Sequence, residues 1–177
     1  IDICTRQLKI ARNMTEESAA LRELVFSGSA RAKESKESSL LAFYQKWKSE
    51  PLVVDLWLGI QASCPLEGTL SKVKDLMQHE SFDLKIPNRV RALISQFASS
   101  NFVNFHNISG DGYKFLGDRV AELNEINPQI ASRLMVPLTR WRKYDETRQD
   151  MMKRELARIL EIKSLSSDVY EIASKSL

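Results

Sequence analysis

Two histidines, two cysteines and a scatter of arginines are the side chains of this sequence that could support chemistry. His79-Glu80 opens like the H-E-x-x-H helix of zinc proteases, in which histidines at i and i+4 hold the metal and the Glu acts as base. The second histidine would have to stand at position 83, which is Asp83, and only His106 remains elsewhere. No metal-ligand set and no nucleophile–base pair can be assembled from these residues. His79 reads instead as a last-turn helix residue favoured by the helix dipole. Gly110-x-Gly112 lacks the third glycine of a nucleotide loop, position 115 being Phe115, and no strand precedes it. It reads as a helix-starting turn. Arg140-Trp141-Arg142-Lys143-Tyr144 has the basic-aromatic character that grips phosphates, but it is short and has no matching patch. A net charge of +3 adds no argument for nucleic acid. The stretch carries no catalytic residue and no metal site of its own.

The segment that organises the rest is Ile86-Pro87-Asn88-Arg89-Val90-Arg91-Ala92-Leu93-Ile94-Ser95-Gln96-Phe97. Pro87 can sit at the first helical position, where its missing N–H is one the first turn leaves unpaired anyway. Val90, Leu93, Ile94 and Phe97 then fall at i, i+3, i+4 and i+7, a single apolar stripe. Arg89 and Arg91 flank that stripe on opposite sides. They can aim at something anionic; spacing alone favours arginines that are solvated or paired with a neighbouring carboxylate.

The elements that must position these residues all read as helices. Ile3 to Ala11 is helical, and Thr15 with Ser18 behind it restarts a helix that ends at Ser27-Gly28-Ser29. The charged segment Arg31 to Ser38 leads into an amphipathic helix carrying Leu40, Phe43, Tyr44 and Trp47, and the two form a hairpin. Glu50-Pro51 starts a helix to Ala62, apolar on several sides and therefore central. Thr69 is placed to cap Leu70 to Gln78. Asn101 to Asn107 is a short helix or a packed loop, and Tyr113 to Leu123 is a helix. Asn127-Pro128-Gln129 starts another in the manner of Ile86-Pro87-Asn88, with the cations of Arg140 to Tyr144 in its last turn. Helices over Glu146 to Ile162 and from Ser166-Ser167-Asp168 onward complete the chain. Nine to eleven helices with short turns and no strand predict an all-α fold, an irregular superhelix of antiparallel helix pairs. No fixed-period repeat is visible.

Length and composition agree. The 177 residues are enough for one domain burying roughly 70% of its unfolded surface, and 43% hydrophobic with 28% charged is ordinary for a globular protein. No apolar run approaches the ~18 residues of a membrane span, which argues against a membrane partner. Cys4 and Cys64 make neither a disulfide framework nor a zinc ribbon and read as reduced residues of a cytoplasmic protein. The chain opens directly in helical pattern without Met, so it reads as a piece of something longer.

The wording of the sequence carries a further signal. Asp55-Leu56-Trp57-Leu58-Gly59-Ile60-Gln61-Ala62-Ser63 with Pro65, Gln78-His79-Glu80-Ser81-Phe82 and Pro87-Asn88-Arg89-Val90-Arg91-Ala92-Leu93-Ile94 resemble the C-terminal domain of bacterial aminopeptidase N. The resemblance continues through Phe105-His106, Ser109-Gly110-Asp111-Gly112-Tyr113-Lys114-Phe115-Leu116, Asn127-Pro128-Gln129-Ile130-Ala131-Ser132-Arg133-Leu134, Pro137-Leu138-Thr139-Arg140 and Asp168-Val169-Tyr170-Glu171-Ile172. It spans residues 1–177 and is weakest over 1–45. It implies a zinc-dependent alanyl-type aminopeptidase whose catalytic domain, upstream, carries H-E-x-x-H and a G-A-M-E-N segment. The zinc then belongs to the full-length enzyme, with no cofactor in this stretch. The implied fold is a bowl of helix pairs that encloses the active-site chamber and limits entry to peptides. The implied partners are the catalytic domain of the same chain and peptide substrates. By the same resemblance Arg91, Gln129 and Arg133 face the substrate, where an arginine offers a planar fork to a carboxylate or carbonyl. Arg89 is assigned to structure. The competing reading is a helical-repeat module that binds a protein partner in its concave face.

Overall fold

The computed structural model describes residues 1–177, all of them in helices or the turns between them. Three segments open the chain: α1 (Asp2–Ile10), α2 (Met14–Phe26) and α3 (Ala32–Trp47). The cap of α2 is Asn13, whose side chain accepts from the Glu16 N–H, and not Thr15. An amide side chain one residue before the helix reaches that N–H, which a residue already inside the helix cannot. The charged segment after Ser29 is itself helical, so α3 starts earlier than its apolar pattern suggests. Glu17, buried on α2, explains how α3 docks there: it accepts from Lys46 Nζ at 2.9 Å and from Trp47 Nε1 at 3.3 Å.

The central helix, α4 (Pro51–Ala62), buries Val54, Trp57, Leu58, Ile60 and Ala62. Trp57 Nε1 donates to the Leu40 carbonyl on α3 at 3.0 Å, so the indole enters the core with its N–H satisfied. α5 (Thr69–Leu76) begins after Gly68 in the left-handed region. Thr69 does not cap it: its hydroxyl donates back to the Cys64 and Leu66 carbonyls, tying down the preceding turn. His79 lies beyond the end of α5, against Tyr44 and Trp57 with ring centroids 4.8 and 5.2 Å away. Its place is set by aromatic packing rather than by a helix dipole.

The organising segment is continuous but not uniform. α6 (Pro87–Val90) passes into a π turn (Arg91–Ser95), where the Gln96 N–H reaches the Arg91 carbonyl, and then α7 (Gln96–Ser100). Val90, Leu93, Ile94 and Phe97 are all fully buried. After α8 (Phe102–Phe105) come α9 (Asp111–Ile126), α10 (Pro128–Leu134), α11 (Val136–Thr139), a 3₁₀ turn (Trp141–Lys143), α12 (Glu146–Leu160) and α13 (Ser167–Ser176). The thirteen α segments exceed the nine to eleven expected because single helices divide. Pro137 cannot donate to the helical ladder, and the segment from Asn127 breaks into α10 and α11 beside it. The Arg140–Tyr144 run consequently lies in a turn and not at a helix end.

One core of buried apolar side chains runs from Leu21 to Ala173, with α4, the π turn and α9 through its middle. The fold is all-α, an irregular superhelix of antiparallel helix pairs. No helix is long and apolar enough to cross a membrane, and Cys4 and Cys64 are free.

Candidate functional site

Two glycines decide how α8 meets α9. Gly110, at φ +75°, turns the chain into α9 in a conformation that L side chains rarely adopt. A Cβ on Gly112 would lie 2.3 Å from the Phe105 carbonyl oxygen, so only glycine permits this approach. α8 is anchored from its other end by buried Asn101, whose side-chain N–H groups donate to the Ala62 and Cys64 carbonyls at 3.0 and 2.6 Å. His106, the residue after α8, is thereby held against Tyr113 on α9.

Both ring nitrogens of His106 are engaged. Nδ1 lies 2.9 Å from the Tyr113 hydroxyl, and Nε2 lies 2.8 Å from the hydroxyl of Tyr144, which stacks on the imidazole with centroids 4.1 Å apart. Arg148 Nε donates to the His106 carbonyl at 2.7 Å. The tautomer follows from counting donors. Tyr113 is completely buried and His106 is its hydroxyl's single partner. Its O–H must donate to Nδ1, since otherwise a buried donor stays unsatisfied at about 1–3 kcal/mol. Nε2 then carries the proton and donates to Tyr144, leaving the Tyr144 O–H free to donate elsewhere. Burial, aided by the Arg148 cation, pushes the His106 pKa down to about 4. Burial likewise pushes the Tyr113 hydroxyl up to about 12. Both rings are neutral near pH 7.

Tyr144 opens onto a cavity of about 250 Å³ between α7, α8, α10 and α11. Arg133 and Arg140 line it with Phe102, Leu134, Val136 and Pro137, and no acidic residue does. Among the ion pairs of the molecule none involves Arg133 or Arg140. Of the residues singled out by resemblance, the structure brings Arg133 to this cavity and leaves Arg91 and Gln129 outside it. Arg91 is exposed, with Nη1 donating to Asn88 Oδ1 at 2.8 Å. Gln129 is exposed on α10, one turn before Arg133 and on the same face. Sequence reading missed His106, Tyr113, Tyr144 and Arg140 as a group. In the sequence Tyr113 marks only the start of a helix, and no local pattern links positions 106, 113 and 144.

The other arginine of the organising segment behaves as a staple. Arg89 is ion-paired with Asp55, donates from Nε to the Ser81 carbonyl at 2.8 Å and from Nη1 to the Pro51 carbonyl at 2.8 Å. The residues present do not suit a zinc ion. No group of three or more His, Cys, Asp or Glu side chains is placed to hold a metal. His106 has both nitrogens occupied, and His79 Nδ1 is 2.8 Å from Ser81 Oγ.

Residues 1–177 match the family model described as a domain of unknown function (DUF3458_C) with ARM repeats. The chain is 44% identical over 168 residues to aminopeptidase N of Haemophilus influenzae, covering 94% of this chain and 19% of that protein. It is 39% identical over 175 residues to aminopeptidase N of Escherichia coli, covering 99% of this chain and 20% of that protein. A crystal structure of Legionella pneumophila aminopeptidase A, in complex with aspartic acid, superimposes with a TM-score of 0.91 at 36% identity, covering 99% of this chain and 20% of that one. The chain thus spans about a fifth of the length of the relatives it matches. From end to end, in sequence and in fold, it belongs to the ARM-repeat family found as the C-terminal domain of aminopeptidase N.

Proposed function

We propose that this chain is the C-terminal domain, residues 1–177, of a zinc aminopeptidase of alanyl type that removes N-terminal residues from peptides in the cytoplasm. The domain encloses the active-site chamber and restricts which peptides enter. Bond breaking and the zinc belong to a catalytic domain of the same polypeptide. The observation that carries this reading is the match of 94% and 99% of this chain to about a fifth of two aminopeptidase N proteins. Arg91, Gln129 and Arg133 are the residues we assign to the chamber wall, where they position peptide without taking part in chemistry. The exposure of all three supports that assignment.

Arg133→Ala in the complete enzyme tests it. The expected result is a kcat/KM for peptides lowered about tenfold with zinc content unchanged; wild-type kinetics would remove Arg133 from the substrate path. Mixing this chain with a separately produced catalytic region and assaying an alanyl reporter peptide tests the larger claim. Altered activity or peptide-length selectivity is expected. Stable capture of an unrelated polypeptide with no effect on peptidase activity would instead favour an interaction module, which exposed Phe102, Val103 and Ile108 would suit.

A further inference from the structure

We infer that the cavity between α7, α8, α10 and α11 is a binding site for a small organic carboxylate with an apolar substituent. Arg133 and Arg140 hold the anion, the Tyr144 hydroxyl donates to it, and Phe102, Val136 and Pro137 receive the substituent. The inference stands on the cavity itself and does not require the peptidase reading.

Three observations converge. First, Arg133 and Arg140 both line one concave space, and neither carries a carboxylate partner from its own chain. Two unpaired cations facing one cavity raise its affinity for an anion, and a planar guanidinium fork matches a carboxylate bidentately. Second, the buried tyrosine behind His106 dictates the direction of the hydrogen-bond chain. Tyr113 donates to Nδ1 and Nε2–H donates to Tyr144, so the O–H of Tyr144, itself a lining residue, is left free to donate to a ligand in the cavity. Guanidinium N–H groups are also donors only. The serine hydroxyls of Ser95 and Ser99 turn either way, so no group lining the space is obliged to accept. A site whose fixed polar groups all donate selects an acceptor-only ligand. Third, the volume of about 250 Å³ and the partly apolar lining suit a small ligand with a non-polar portion. A fully hydrated inorganic anion would leave Phe102, Val136 and Pro137 without a partner.

The experiment uses the 177-residue chain with labelled histidine and tyrosine, titrated with 3-phenylpropionate, 3-phenylpropionamide and inorganic phosphate while ring resonances are followed by NMR. The carboxylate should shift the Tyr144 and His106 signals saturably, and the amide should bind at least about tenfold more weakly. Arg140→Gln should weaken carboxylate binding about tenfold or more, while Lys143→Gln, next to the site on an exposed turn, should bind as the parent does. Unshifted Tyr113 signals in Arg140→Gln certify that the network is intact. The His106 nitrogen shifts should report the Nε2–H tautomer. Equal binding of amide and acid, phosphate binding as tightly as the carboxylate, a protonated Nδ1, or no saturable shift up to about 10 mM would each overturn the assignment.

Discussion

Two segments of this molecule are written almost alike. In each a proline stands at the first helical position after an extended residue: Pro87 with Arg89 and Arg91 behind it, and Pro128 with Arg133 behind it. Their arginines have opposite fates. Arg89 lies largely buried, ion-paired to Asp55 and bonded to two carbonyls. Arg133, with Arg140, faces a cavity without a counter-charge. The first is spent on the architecture, locking the start of α4 to the turn after α5. The second remains available to a ligand. A helix-start signal therefore says where an arginine begins but not what it meets, because the partner comes from another helix.

The contrast can be broken by experiment, beginning where the effect should be largest. Arg89→Ala leaves the Asp55 carboxylate largely buried without its cation and should destabilise the fold by about 3–4 kcal/mol in chemical denaturation; a loss below about 1 kcal/mol would mean that the pair is no staple. Acid should test the His106 network next. Its folded pKa of about 4 lies below the ordinary value of 6.5. The unfolded chain therefore binds the proton first, and the contribution present above pH 6.5 is lost as pH falls towards 4, by up to about 3 kcal/mol. Replacing His106 by Gln should flatten that segment of the stability–pH curve, measured as denaturation midpoints. Tyr113→Phe removes the donor to Nδ1 and should cost about 1–2 kcal/mol, while releasing His106 to either tautomer. Arg140→Ala should be the mildest, within about 0.5 kcal/mol, since it breaks no bond within the chain. An Arg140→Ala cost as large as that of Arg89→Ala would erase the distinction between the two regions.

Much of the fold was legible from spacing. The stripe Val90, Leu93, Ile94 and Phe97 is buried as its period demands. The same spacing marks Ile130, Leu134 and Leu138 as one apolar edge and Met152, Leu156, Ile159 and Leu160 as another; all are buried except Leu160, which is half-buried. Those assignments rest on neighbours three or four residues apart, which any helix brings together. The failures have one character. Thr69 does not make the cap its position suggests, because its hydroxyl finds two carbonyls in the preceding turn. His79 follows a helix in sequence, but Tyr44 and Trp57, far away along the chain, supply its surroundings.

What the sequence determined by itself was the helical class, the apolar faces, the proline-started segments and, through whole strings of residues, the family. Those properties are local or additive along the chain. Only the tertiary structure decided that Arg89 meets Asp55, that Gly112 admits the Phe105 carbonyl, and that His106, Tyr113 and Tyr144 form one hydrogen-bonded line ending at a cavity lined by two arginines without a carboxylate partner. Each of these joins positions on different helices. Hydrogen bonds and ion pairs act within a few ångströms in space, whatever the separation along the chain, so such partners are fixed only when the helices pack.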